Sequence, residues 1–158
     1  MPDRPDETVS DQVGSALVGL MFEDLELGQS AALSKTVTTA DIAVFAELSG
    51  DNNPVHVNPD YAATTMFKQC IAHGMLTGSL ISALFGTRLP GPGAIYISQT
   101  FNFRAPVFAR DEITAEVEVA DLFPAKNRVK FDCVCRNQTG KTVLVGEAIL
   151  MVPSREAT

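Results

Sequence analysis

The chain has 158 residues, 46% of them hydrophobic and 20% charged, and a formal net charge of −7. That length suits one domain with its own core, and the apolar content is too high for intrinsic disorder. An acidic chain without clustered Lys and Arg excludes a duplex-binding surface, because phosphate neutralisation needs such clusters, so nucleic acid is not an expected partner. The three cysteines, Cys70, Cys133 and Cys135, are odd in number and form no CxxC, which points to neither a disulfide frame nor a zinc site. The N-terminus carries Asp3, Arg4, Asp6, Glu7 and Asp11 in place of a basic region leading into an apolar run. With no charge-free stretch of membrane-spanning length, the expectation is a cytoplasmic protein without a membrane partner.

In chain order, residues 1–20 read as a flexible leader, 21–153 as a single domain and 154–158 as a tail. A first strand is predicted over 30–37. Thr38 or Thr39 then caps a helix to about Ser49, with Asp41 near its positive end, an apolar stripe of Ile42, Phe45 and Leu48, and Gly50 as the stop. Asn58-Pro59-Asp60 starts a second helix that ends near Phe67. A third helix, predicted over 74–85, has no charged residue on any face and must therefore be enclosed by protein. Its small residues Gly78, Ser79, Ser82 and Ala83 allow close packing.

After Pro90-Gly91-Pro92-Gly93 the period changes to two. Ile95, Ile97, Phe101 and Phe103 alternate with more polar neighbours, then Ile113, Ala115, Val117 and Val119, then Val129, Phe131, Cys133 and Cys135. Asn137-Gln138-Thr139-Gly140 marks a hairpin, and a last strand covers 142–152. These are antiparallel strands with one buried face. The predicted class is α+β, a curved sheet wrapped around the apolar helix, with a flat helix-on-sheet sandwich as the alternative.

The most informative stretch is Asp51-Asn52-Asn53-Pro54-Val55-His56. On an unbroken helix Asp51 and His56 would diverge by roughly 140°. Pro54 forbids that helix and pushes Asn53 toward an extended conformation, so the segment can turn both side chains into one space. Carboxylate and imidazole together suit proton transfer through one held water. The bland alternative is a solvent loop in which Asp51 caps a turn, Asn53 makes an Asx turn and His56 lies on the surface. Gly74 opens the apolar helix, where unpaired N–H groups could receive an anionic oxygen, or it merely relieves a tight turn. His73 is expected to be a hydrogen-bonded structural histidine. Ser82 could reach the polar site or bond the backbone one turn back. Lys68, Arg88 and Arg104 are candidate cations for an anionic ligand.

Asp51-Asn52-Asn53-Pro54-Val55-His56, followed by Ile71-Ala72-His73-Gly74-Met75-Leu76 and by Phe103-Arg104-Ala105-Pro106-Val107, resembles the (R)-specific enoyl-CoA hydratases of the MaoC-like group. The likeness runs over about 25–152 and rests on D-x-N-P-x-H and H-G-M/L in order and spacing; the acidic leader has no counterpart. The resemblance implies a hotdog fold and a homodimer with acyl-CoA entering between the subunits. It makes Asp51 and His56 catalytic, Gly74 N–H the oxyanion donor, and Asn53 and Ser82 supporting residues. The implied reaction is hydration of a trans-2-enoyl-CoA to a (3R)-3-hydroxyacyl-CoA, and its reverse, without metal or redox cofactor, CoA being part of the substrate. It would feed polyhydroxyalkanoate synthesis from β-oxidation intermediates of fatty acid metabolism, or serve another acyl-CoA route. An acyl-CoA thioesterase on the same fold and a non-catalytic acyl-CoA-binding or structural protein are the competing readings.

Overall fold

A computed structural model describes residues 18–156. Most of the expected leader, 1–17, and the last two residues lie outside the described residues. Strand β1 (Ser30–Thr36) leads to helix α1 (Thr39–Ser49) through a reciprocal cap. The Asp41 N–H donates to the Thr38 hydroxyl at 3.0 Å, and the Thr38 N–H donates to the Asp41 carboxylate at 2.9 Å, satisfying two of the first-turn donors. Gly50 ends α1 at φ 80°, a left-handed conformation that favours glycine. Ile42 and Ala46 face the core, whereas Leu48, expected in the same stripe, is 82% exposed. Six positions at 100° place Leu48 about 120° away from Ile42 around the helix, outside one buried face.

Two short helices follow, α2 (Pro54–Val57) and α3 (Pro59–Ala63). Pro54, which bars a continuous helix, instead opens a new one at its first turn, where a missing N–H costs little. The helix expected over 58–67 stops at Ala63. Helix α4 (Gly74–Thr87) buries Leu80, Ile81, Leu84 and Phe85. Full enclosure does not hold, because Met75, Ser79, Ser82 and Ala83 form an exposed face within the single chain.

The remaining strands are β2 (Ile95–Gln99), β3 (Asn102–Phe103), β4 (Glu112–Phe123), β5 (Arg128–Arg136) and β6 (Thr142–Met151). All described pairings are antiparallel, in the order β1-β4-β5-β6-β2, with β3 also on β6. The alternation over Ile95, Ile97, Phe101 and Phe103 spans two strands, parted at Thr100 and Phe101. There the Thr100 carbonyl folds over Gly146, where a Cβ would sit 1.9 Å from it. Ile95, Ile97 and Phe103, expected on a buried face, are exposed.

Ile113, Ala115, Val117 and Val119 of β4, Val129, Phe131, Cys133 and Cys135 of β5, and Leu144, Ala148 and Leu150 of β6 are buried in one core with Ile81, Leu84 and Phe85 of α4. Each large side chain enclosed this way contributes about 1.5–3 kcal/mol relative to exposure. Burial pushes the Cys133 thiol up to about 11 and the Cys135 thiol up to about 12. The sheet wrapped on a single helix is the hotdog arrangement. The first and last described segments are tied together: the Phe22 N–H donates to the Pro153 carbonyl at 2.7 Å, and Arg155 pairs bidentately with Asp24 at 2.8 and 2.9 Å. Among the described residues no helix is long and apolar enough to cross a membrane.

Candidate active site

The end of α1 and the start of α2 bring the two candidate proton carriers together. Asp51 follows the Gly50 stop, its N–H donating to Ser49 Oγ at 3.1 Å and its Oδ1 accepting the Asn53 N–H at 3.3 Å. Asn53 Oδ1 in turn accepts the Val55 N–H at 3.2 Å. The expected supporting Asn thus caps the helix that carries His56. His56 Nδ1 lies 2.7 Å from the Ile71 carbonyl. A carbonyl only accepts, so Nδ1 carries the ring proton and Nε2 is left with a lone pair.

Asp51, His56 and His73 each offer one ligand-type atom within 4.8 Å of the others. The segment that could have been a solvent loop therefore converges on one point. Each histidine has one ring nitrogen on a carbonyl, His56 Nδ1 on Ile71 and His73 Nε2 on Asp51 at 2.8 Å, and keeps the other as a lone pair. His73 is hydrogen-bonded, as expected of a structural histidine, but its partner is the backbone of Asp51 itself.

His56 opens onto a cleft of about 470 Å³ whose walls include Gly74, Thr77, Phe103, Arg104 and Val143. Gly74 is the first residue of α4, and among the described residues no acceptor is found for its N–H. A Cβ here would lie 2.6 Å from the Phe103 ring, so glycine lets that aromatic wall stand where it does beside the free amide. Ser82 is not in this cleft. About 12 Å further along α4, it lines a neighbouring cleft with Phe45, Tyr96 and Phe101, and the two clefts share Met75. Of the candidate cations, Arg104 stands at the His56 cleft, Arg88 donates to the Ala32 carbonyl, and Lys68 lines neither cleft.

Sequence reasoning did not find the Ile71 carbonyl that sets the His56 tautomer, or Phe45, whose ring lies 4.8 Å from that of His73. Backbone acceptors leave no mark in a sequence. Phe45 could have been singled out only by its place on the buried side of α1.

A MaoC like domain matches residues 25–143, and the chain belongs to that family. It is 56% identical over 134 residues to an (R)-specific enoyl-CoA hydratase of Rhodospirillum rubrum, covering 85% of this chain and 92% of that one. A 3-hydroxybutyryl-CoA dehydratase of Methylorubrum extorquens is 50% identical, with 87% of each chain covered. The solved (R)-hydratase from A. caviae involved in PHA biosynthesis superposes with a TM-score of 0.81 at 46% identity, covering 83% of this chain and 99% of that chain.

Proposed function

We propose that the chain is an (R)-specific enoyl-CoA hydratase that adds water to a trans-2-enoyl-CoA and catalyses the reverse dehydration. The observation that carries this reading is the approach of the Asp51 carboxylate and the His56 imidazole to within 4.8 Å, His56 sharing a cleft with Gly74, whose N–H has no acceptor among the described residues. The relatives' names, a hydratase and a dehydratase, describe the two directions of one equilibrium.

The chemistry follows from an enoyl thioester's needs. Water held between the Asp51 carboxylate and His56 Nε2 donates one hydrogen to each. As its oxygen bonds the β-carbon, one proton passes to the pair, and the electrons of the double bond move toward the thioester oxygen. The Gly74 N–H receives that oxygen; one such donor is worth about 3 kcal/mol of barrier. A proton then returns from the pair to the α-carbon, so the elements of water are added across the double bond. No metal or redox group enters the balance. Arg104, exposed in the cleft wall, would meet a CoA phosphate in this reading.

The acting unit is a homodimer in this reading. Met75 of α4 lines both clefts, with exposed Tyr96 and Ile97 of β2 on one side and Phe103 of β3 on the other, an apolar surface open to a partner. A second copy seated there would wall the open sides of both clefts and cover Ser82.

Crotonyl-CoA tests the reading. Loss of the conjugated enoyl-thioester absorbance without release of free thiol supports hydration. Thiol appearing in step with that loss means thioester hydrolysis, and binding without any change means a non-catalytic protein.

A further inference from the structure

Neither of the two elements that carry Asp51 and His56 is a rigid platform. Residues 50–53 are all exposed, and α2 has no buried residue. The separation of carboxylate and imidazole must be set from elsewhere, and one side chain touches both. His73 is 2% exposed. Its Nε2 lies 2.8 Å from the Asp51 carbonyl, and its face stacks on the His56 ring with centroids 3.8 Å apart and planes 26° from parallel. Phe45 packs against the same ring at 4.8 Å, so the imidazole is held between α1 and α2.

The His73 ring does not serve its own helix. It sits at the N-cap of α4, yet its side chain makes no capping bond. Because the Asp51 carbonyl only accepts, Nε2 is the protonated nitrogen, and Nδ1 is buried without a partner. A buried unpaired nitrogen costs stability, so packing alone does not account for histidine here. What the position requires is one donor edge aimed at a carbonyl and one flat face against another imidazole. The segment that carries it is itself anchored, with the Ile71 N–H on Val55 O at 3.2 Å and the Ala72 N–H on Val107 O at 2.7 Å. Ile71 also supplies the carbonyl that orients His56.

We propose that His73 is a positioning residue: its Nε2–H on the Asp51 carbonyl and its face on the His56 ring set the distance and angle between the two groups that hold the attacking water. The kinetic consequence rests on the hydratase reading; the geometric one does not.

The chain has only two histidines, so nitrogen-15 spectra of the full-length protein report both rings, with His73→Phe giving the assignment. The expected spectrum shows opposite tautomers, Nδ1–H for His56 and Nε2–H for His73. In crotonyl-CoA assays, His73→Phe, which keeps a flat face and loses the donor, lowers kcat by about a hundredfold with KM within about threefold of wild type. His73→Gln, which keeps an N–H donor and loses the face, lowers kcat by about tenfold and decides the matter if the Phe variant does not fold. A folded variant of either kind with kcat within about twofold of wild type overturns the proposal, as does a His73 ring found in the Nδ1–H form. Wild-type protein that fails to hydrate crotonyl-CoA removes the hydratase reading instead, and the tautomers then judge the positioning geometry alone.

Discussion

Single side chains at the site do separable jobs. Asp51 and His56 bring a carboxylate oxygen and a ring nitrogen within 4.8 Å of each other, whereas Asn53 acts one step back by capping α2. Asp51→Asn keeps the shape and removes a proton acceptor; His56→Gln removes the imidazole lone pair. Each is expected to lower kcat on crotonyl-CoA by about a hundredfold or more, with far-ultraviolet circular dichroism unchanged, since both residues lie outside the buried core. Rates near wild type in both variants would remove the catalytic assignment. Gly74 differs in kind: its contribution is a backbone N–H and the absence of a Cβ that would strike Phe103.

Among the elements, the closure of residues 21–24 on residues 153–155 has an electrostatic part, which depends on pH. The Arg155 guanidinium, with the Met21 N–H, holds the Asp24 carboxyl below its usual range; the Ser154 hydroxyl and the Arg155 N–H do the same for Glu23. Folded-state values below the unfolded ones mean a stabilising contribution that is full at neutral pH and lost as pH falls through the depressed values, below the ordinary carboxylate range near about 4. Arg155→Ala is expected to speed amide hydrogen exchange in residues 18–24 at pH 7, and the difference from wild type should vanish in strong acid. An unchanged exchange rate at pH 7 would mean that the Phe22 to Pro153 backbone bond alone fixes this closure.

At the scale of the whole molecule, the exposed face of α4 and the outer edge at β2 and β3 belong together. A helix with no charge on any side is half covered by its own sheet, and Phe103, 54% exposed, continues that apolar surface. Ile97→Lys places a charge in the middle of the face proposed to seat a second copy. The expected result by light scattering is a wild type of twice the chain's mass and a variant of single mass, with hydratase activity lost alongside. A wild-type monomer that turns over substrate would refute the assembly.

Much of this was legible in the residues. The Thr38 and Asn58 caps, the Gly50 stop, the alternation along β4 and β5 and the Asn137 to Gly140 turn are local signals, and their elements start or stop there, although the helix after Asn58 ends early at Ala63. Pro54 within Asp51-Asn52-Asn53-Pro54-Val55-His56 allowed the carboxylate and the imidazole to share one space by ruling out the helix that would separate them, but left a solvent loop equally open. Leu48 and Ile97 were misplaced because periodicity finds an apolar face without saying what it is packed against. Only the folded chain decided that His56 is fixed in one tautomer by Ile71, and that His73 spans Asp51 and His56. Both depend on backbone carbonyls and ring faces brought together from 15 and 22 residues away, contacts that no pattern of side-chain types can encode.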